Sequence, residues 1–234
     1  MAARLAADNV RRMHQSLHHV VADAPWSDEA VLDRCLDLVI PAMLRRDPVI
    51  AWVVDDTGFP KKGRESVGVA RQYCGQVGKQ DNCRVAVSLS VNTEKASMPV
   101  AYRLYLPQSW IKDRKRRKKT GAPDWIQFQT KPEIALDQIR RARERGIPQG
   151  VVLADAAYGT DTGFRAELTK LQMAYVVGIQ STTTVWKPGE EPKPAPARKG
   201  NTGRPRKLLQ RDASNQPVSV KQLALSLPPK HGRK

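Results

Sequence analysis

Two aspartates that each follow a short apolar run are the residues with the clearest chemical potential. Asp55 follows the run 49–54, and Asp155 follows the run 151–154. Continuous apolar runs of this length predict buried central strands that end at the aspartates. A carboxylate in such a place is costly unless it is solvated, paired or bound to a cation. If the two strands are neighbours, the carboxylates can hold hard divalent cations such as Mg²⁺, which would polarise a phosphodiester for in-line attack.

The next residue, Asp56, leaves one question open at the first strand. Adjacent side chains of an extended strand point to opposite faces, so only Asp55 or Asp56 can face a shared metal site. The strand is apolar on both faces, and its pattern therefore does not decide between them.

The same region matches two other kinds of phosphate site poorly, a P-loop and the active site of an aspartate-nucleophile phosphatase. The glycines of the segment 58–63 have P-loop spacing, but Arg64 and Glu65 stand where Lys and Ser or Thr are required, which excludes a P-loop. An aspartate-nucleophile phosphatase needs a second Asp two positions after the first, and Thr57 occupies that position. A phosphatase-like hydrolase is kept as the weaker enzyme alternative.

Other potential ligands have simpler interpretations. His14 and His18 share a helix face, but no third metal ligand accompanies them. Cys74 and Cys83 lack a CxxC partner and are expected to be core or loop thiols. With three cysteines, a disulfide scaffold is excluded and a reducing cytoplasm is expected. We see no secretory signal and no run long enough to span a bilayer, so no membrane partner is expected.

The charge of the chain points to a polyanionic partner. The formal net charge is +17 over 234 residues, while 40% hydrophobic residues exclude a wholly disordered chain. Residues 112–119 carry seven basic side chains and one acidic one, and residues 187–234 carry twelve basic and three acidic ones. Each block alone is typical of a solvated charge run. Together they favour nucleic acid, bound through the phosphates by the basic loop 112–119. The expected DNA-binding residues of that loop are Lys112, Arg114, Lys115, Arg116, Arg117, Lys118 and Lys119.

The remaining pattern predicts a mixed α/β domain. One amphipathic helix is expected over residues 3–20, and a second one is expected after the cap Ser27, ended or kinked at Pro41. Strands are predicted over 49–54, 84–91, 100–106, 151–154 and 174–179. Thr130 and Glu133 form a predicted capping box for the helix before the fourth strand. A helix around residues 164–171 separates the last two strands, which gives the order β-β-β-α-β-α-β after the N-terminal helices.

Six collinear segments together resemble a known family. They are Val54–Gly63, Gly68–Gly75, Asn82–Arg84, Leu104–Trp110, Thr130–Glu133 and Ala154–Gly159. In order and spacing they are similar to bacterial insertion-sequence transposases of the DDE type. The resemblance implies an RNase H-like fold, in agreement with the predicted strand order. It also implies Asp55 and Asp155 as catalytic and metal-binding acids, two Mg²⁺ or Mn²⁺ ions in the intact site, and DNA as the partner. Lys61, Lys62 and Arg71, which lie in these segments, are expected to contact DNA, and the family interpretation allows a homo-oligomer on DNA.

The chain departs from the family at the third acid. Such transposases close the site with a Glu on a helix after the last strand, whereas Glu190 and Glu191 lie among prolines and Glu167 precedes that strand. The expected division is a partial helical region (1–47), a catalytic core without the third acid (48–180), and a basic Pro-rich tail or start of an insertion (181–234). We therefore expect a fragment of a cytoplasmic transposase that is inactive alone, with a non-catalytic nucleic-acid-binding remnant as the alternative.

Overall fold

The computed structural model describes residues 1–195 and 216–228, and the chain divides into two compact units, Met1–Val152 and Leu153–Lys234. Helices and strands are mixed along the chain, which confirms the predicted α/β class. Much of the predicted basic Pro-rich tail falls on 196–215 and 229–234, outside the described residues. No helix in the described part is long and apolar enough to cross a membrane.

The N-terminal helices are shorter than the sequence pattern predicted. Helix α1 (Ala2–Leu5) and helix α2 (Val10–Ala22) are separated by a 3-10 turn, so the single predicted helix is wrong. The break has a local cause, because the Asn9 side chain accepts a hydrogen bond from the Arg12 N–H and caps α2. Helix α3 (Asp28–Leu44) begins after the predicted cap Ser27 and continues past Pro41.

An antiparallel sheet forms the centre of the first unit. Strand β3 (Lys79–Asn92) pairs along one edge with β1 (Ala51–Pro60). Along its other edge it pairs with β2 (Ala70–Cys74) and then β4 (Ser97–Leu104). Strand β5 (Val151–Ala154) follows β1 in the sheet, where the Val151 N–H donates to the Ile50 carbonyl at 3.0 Å. The predicted strands around 84–91 and 100–106 are confirmed, whereas β2 was not predicted.

Strand β1 extends well beyond the apolar run that predicted it. Its pairing with β3 continues to Pro60 opposite Cys83, so the expectation that β1 ends at Asp55 and Asp56 is wrong. The reason is that an antiparallel strand exposed on one face tolerates polar residues, and the register of β3 supplies backbone partners throughout. Both aspartates therefore lie in the middle of a strand.

The core of the first unit forms between β3 and helix α6 (Lys131–Glu144). Alternate residues of β3 are buried, as the predicted alternation requires: Val85, Val87, Leu89 and Val91. Helix α6 opens with the predicted capping box, since Thr130 and Glu133 each bond to the other's backbone. Its buried Gln138 donates to the Val87 carbonyl at 3.0 Å and fixes α6 on the sheet.

The basic segment predicted as a loop is helical. Helix α4 (Gln108–Lys112) is followed by α5 (Arg114–Thr120). Asp113 caps α5 by accepting from the Arg116 N–H at 3.0 Å, and Gly121 ends it with φ of +69°. The prediction of a loop gave too much weight to charge, because Lys and Arg are good helix formers once a cap and a terminating glycine flank them.

The second unit contains the remaining elements. Helices α7 (Ala156–Gly159) and α8 (Thr162–Lys170) precede β6 (Tyr175–Val177). After β6, the Gly178 N–H donates to the Ala154 carbonyl of β5 at 2.9 Å. A short ladder joins β7 (Thr184–Val185) to β8 (Val218–Ser219), and helix α9 (Val220–Ser226) follows. The described part of the predicted tail is thus not only an extended arm.

Candidate active site and nucleic-acid interface

The two neighbouring aspartates of β1 lie on opposite faces of the strand. Asp55 is exposed, and one of its carboxylate oxygens accepts the Asp56 N–H at 2.7 Å. Among the described residues the second oxygen makes no hydrogen bond. Ser88, opposite Asp55 on β3, donates its hydroxyl to the Asp55 backbone carbonyl at 3.3 Å. The carboxylate of Asp55 can therefore accept a cation from solvent.

Asp56 instead faces helix α6, where it forms an ion pair with Lys131. The aspartate and lysine side chains are 24% and 26% exposed, so the pair is largely shielded from water. The Lys131 ammonium also lies 5.7 Å from the centre of the Tyr105 ring. Because Asp56 has this internal counter-ion, the structure favours Asp55 as the residue that faces a ligand.

The ion pair that Lys131 forms with Asp56 was not predicted from the sequence. In the sequence, Lys131 was notable only because it follows the capping residue Thr130, and this position was interpreted as the start of a helix. The pairing partner lies 75 residues earlier, on another element, and no local pattern connects the two.

Asp155 stands at the start of α7 in the second unit. Its side chain accepts the Ala157 N–H at 2.8 Å and caps this short helix. Asp155 is exposed, and its second carboxylate oxygen also makes no hydrogen bond among the described residues. It directly follows the last residue of β5, as predicted.

The helix after Asp155 is held by a close backbone approach at Gly159. A Cβ added to Gly159 would lie 1.9 Å from the Gly178 carbonyl oxygen, a distance that no side chain tolerates. Gly159 is buried, and α7 therefore packs directly on the backbone that follows β6. Only glycine fits this position.

The other acids of the described residues do not complete a metal-ligand cluster with these two. In residues 1–195 and 216–228 no group of three or more His, Cys, Asp or Glu side chains is arranged to hold a metal ion. Glu167 lies on α8 and pairs with Lys170 at 2.6 Å. Glu190 and Glu191 lie in a non-helical segment after Gly189. Exposed carboxylates match hard divalent cations, so the donor chemistry of Asp55 and Asp155 fits the expected metal.

The basic residues of α5 divide into three environments. Three of them are exposed and make no ion pair among the described residues, which also holds for Lys112 at the end of α4; the three are Arg114, Lys115 and Lys118. Lys119 is also exposed and pairs with Glu65 at 3.0 Å. We call the four exposed basic residues of this helix the α5 face: Arg114, Lys115, Lys118 and Lys119.

Arg117 is the exception within this helix. It is 5% exposed, and its guanidinium donates to the carbonyls of Ile111 and Pro123. Asp124 lies 3.8 Å from the same group. These contacts fasten the loop after α5 to the end of α4, and a buried guanidinium cannot reach a phosphate. The burial of Arg117 therefore argues against its expected contact with DNA. The sequence did not indicate this burial, because Arg117 lies in a run of similar basic residues.

Arg116 contributes to a basic cavity of about 420 Å³ in the first unit. Of the expected DNA-binding residues, Lys62 and Arg71 also line it, and the sequence analysis missed Arg64. Lys61 is half-buried beside it, with its backbone bonded to Asn82. The structure thus brings together residues of three separate sequence segments.

The two buried cysteines are core residues, as expected. Cys74 and Cys83 pack together with Val85 in one hydrophobic cluster. Burial, together with the neighbouring Cys74, raises the pKa of the Cys83 thiol to about 11. The Cys83 thiol is therefore protonated and buried, which makes it a poor nucleophile, and Cys74 is buried beside it.

Comparison with known proteins agrees with the family resemblance. The family described as DDE superfamily endonuclease matches residues 1–234. A probable transposase for insertion sequence element IS701 from Microchaete diplosiphon is 34% identical over 168 residues, which are 71% of this chain. The matched region covers 41% of that relative. No solved structure matches the chain.

Proposed function

The chain belongs to the DDE superfamily endonucleases, and we propose that it supplies the catalytic core of a DDE-type insertion-sequence transposase. The observation that carries this proposal is that Asp55 within β1 and Asp155 directly after β5 are both exposed, in a chain related to a probable transposase. We further propose an RNase H-like arrangement of the strands and a division of the chain into residues 1–47, 48–180 and 181–234. The proposed compartment is the cytoplasm, and the proposed partner is DNA. A homo-oligomer on DNA stays a prediction.

In this proposal Asp55 and Asp155 each supply a carboxylate ligand to divalent cations, Mg²⁺ or Mn²⁺. Such ions polarise the scissile phosphodiester and activate the attacking hydroxyl. The protein's own part is to hold each carboxylate in place. The Asp56 N–H orients Asp55, and the Ala157 N–H orients Asp155.

The ion pair between Asp56 and Lys131 has a separate part in this design. It neutralises the second aspartate of β1, which already lies on the strand face opposite to Asp55. Without that counter-ion, two adjacent carboxylates would repel each other, and a cation could be bound in two alternative ways. Asp56 is thus proposed as a structural neighbour of the site and not as a ligand.

Metal binding offers the first test, with the adjacent aspartate as the matched control. Mn²⁺ binding by the purified chain is measured by calorimetry for Asp55→Asn, Asp155→Asn and Asp56→Asn. We expect the first two variants to lower the affinity by at least about tenfold, the smallest loss typical of damage around a metal site. Asp56→Asn should retain it. Equal losses in Asp55→Asn and Asp56→Asn would contradict the assignment.

Catalysis by this chain alone is the second test. We propose that the chain does not cut or join DNA, because the described residues contain no group of three potential metal ligands. Displacing a reacting group by about 1 Å can cost about a hundredfold in rate. The protein is incubated with Mg²⁺ or Mn²⁺ and DNA carrying the matching element ends. Nicking that is lost in both Asp55→Ala and Asp155→Ala would show that the site is complete and overturn this part.

A non-catalytic nucleic-acid-binding remnant is the second candidate function. Arg114, Lys115 and Lys118 on α5 favour it. They are exposed, make no ion pair among the described residues, and need no catalytic acid to bind phosphate. The same measurements separate the two candidates: a remnant binds DNA, but its Mn²⁺ affinity does not depend on Asp55.

A further inference from the structure

Hydrogen bonds and stacking hold the lining residues of the basic cavity of the first unit in place. The cavity is lined by four cations, one carboxylate and three other residues: Lys62, Arg64, Arg71, Arg116, Asp81, Asn82, Val69 and Ala70. Among the described residues none of the four cations forms an ion pair with a carboxylate, Asp81 included. The cavity therefore carries an excess of positive charge that no carboxylate of the described residues neutralises.

One wall of the cavity is held by Arg116. Its guanidinium lies 3.7 Å from the centre of the Trp110 ring and donates to the carbonyls of Arg64 and Val69. Trp110 is fully buried and donates its indole N–H to the same Val69 carbonyl at 2.7 Å. Stacking and hydrogen bonds at one guanidinium fix its orientation, so little side-chain entropy remains to be lost when an anion binds.

A second part of the cavity lining is held by Asn82 on β3. Its side-chain amide donates to the carbonyls of Lys61 at 2.6 Å and Gly63 at 2.9 Å, which fixes the loop that carries Lys62. Arg71 lies directly opposite Asn82 in the ladder between β2 and β3. The carboxylate of Asp81 accepts the Asn82 N–H at 2.7 Å, and among the described residues it forms no ion pair with the cations of the cavity.

We propose that this cavity binds one phosphodiester group of a DNA strand, as an anchoring contact separate from the Asp55 site. The chemistry is that of a tetrahedral anion received by converging guanidinium and ammonium donors. The six residue steps from Asp55 in β1 to Lys61, beside the cavity, correspond to about 20 Å of extended chain. The cavity therefore contacts a phosphate several nucleotides from the reacting one. The inference rests on the proposed function for its choice of DNA as the source of the phosphate.

The first test compares two pairs of cations with equal charge. DNA binding is measured by fluorescence anisotropy with a labelled 20-base-pair duplex of arbitrary sequence at rising salt. We expect Lys62→Gln with Arg71→Gln to weaken binding several-fold and to reduce the slope of log affinity against log salt by about 0.9, the value of one phosphate contact. Arg11→Gln with Arg12→Gln removes two exposed cations of α2 and should leave the slope unchanged. Equal effects of the two pairs, or none, would overturn the proposal.

The second test uses probes that separate the sources of phosphate. Amide resonances of Ala70, Arg71 and Asn82 are followed by NMR during titration with the dinucleotide dTpdT, with its uncharged methylphosphonate analogue and with inorganic phosphate. Shifts with dTpdT but not with the analogue support the site. Tighter binding of inorganic phosphate than of dTpdT would make it a free-anion site and overturn the assignment to DNA.

These experiments depend on neither cleavage nor bound metal. A chain that shows the cavity effect but no Asp55-dependent Mn²⁺ binding would retain this inference while the proposed transposase core fails. Asp55-dependent metal binding without the cavity effect would leave the proposed function standing and refute the cavity alone.

Discussion

Helices α5 and α6 are both capped, both rich in Lys and Arg, and differ in what surrounds their charges. On α6 the cations have carboxylate partners elsewhere in the first unit, as Lys131 has Asp56 and Arg141 has Glu29 at 3.1 Å. Arg145, which ends α6, reaches Asp33 and Asp37 of α3. On α5 the exposed Arg114, Lys115 and Lys118 make no ion pair among the described residues. Similar residue types thus join elements of the protein in one helix and remain available to a partner in the other.

The difference teaches that the number of basic residues in a segment does not determine its role. A carboxylate of the protein and a phosphate of DNA compete for the same cation, so an internal partner lowers the gain from phosphate binding. We therefore expect substitutions in α6 to affect stability and substitutions on the α5 face to affect binding.

Arg117 breaks this comparison, because it lies on α5 but has the internal contacts typical of α6. Arg117→Ala removes a buried charged donor from two backbone carbonyls, and we expect it to lower the free energy of unfolding by about 2–3 kcal/mol. Lys118→Ala, the exposed neighbour, should change it by less than about 0.5 kcal/mol. Urea denaturation followed by circular dichroism measures both. Similar stabilities of the two variants would show that the Arg117 contacts are not maintained in solution.

The α5 face should dominate DNA binding. We expect Arg114→Gln with Lys118→Gln to weaken binding of a random duplex at low salt by about tenfold and to flatten its salt dependence, since two phosphate contacts are lost. Arg141→Gln with Arg145→Gln on α6 removes the same charge and should change affinity by less than about twofold. Fluorescence anisotropy gives both values. If the α6 pair has the larger effect on affinity, the division of roles between the helices is wrong.

The ion pair of Asp56 with Lys131 should appear as energetic coupling. Lys131→Met leaves the partly buried Asp56 without this counter-ion, and we expect a loss of about 1 kcal/mol that the additional change Asp56→Asn largely restores. Thermal and chemical denaturation of the original protein, the two single variants and the double variant provide the four values of a double-mutant cycle. Additive losses would mean that the pair does not contribute to stability.

The helix caps give the smallest expected effects. Thr130→Ala removes the capping box of α6 and should lower the free energy of unfolding by about 1 kcal/mol. Asp113→Ala, at the cap of the short α5, should cost about half as much, because α5 contributes few core residues. Denaturation curves resolve the two losses. The reverse order would show that α5 is held more tightly than its exposed surface indicates.

Local signals predicted the features that depend on neighbouring residues. The capping box at Thr130, the alternation of β3 and the position of Asp155 after an apolar strand are all confirmed. They were predictable because a helix cap and a strand with alternate buried residues each depend only on residues that lie within a few positions of one another.

Features that depend on distant partners were not predictable in the same way. The length of β1 depends on the register of β3, and the choice between Asp55 and Asp56 depends on Lys131. Likewise, the burial of Arg117 depends on the path of the chain through Pro123. A run of charge or of apolar residues contains none of this information, because the partner that determines each outcome lies on another segment.

The close approach of Gly159 to Gly178 has a consequence for how mutational data on this chain are interpreted. A screen that scores only Mn²⁺ binding would rank Gly159 beside the proposed ligand Asp155, because an added methyl group and a lost carboxylate would both lower the signal. A parallel measurement of protein abundance would separate them. Asp155→Asn should leave the protein at normal levels, whereas Gly159→Ala should deplete it, since the defect is in packing and precedes any encounter with DNA.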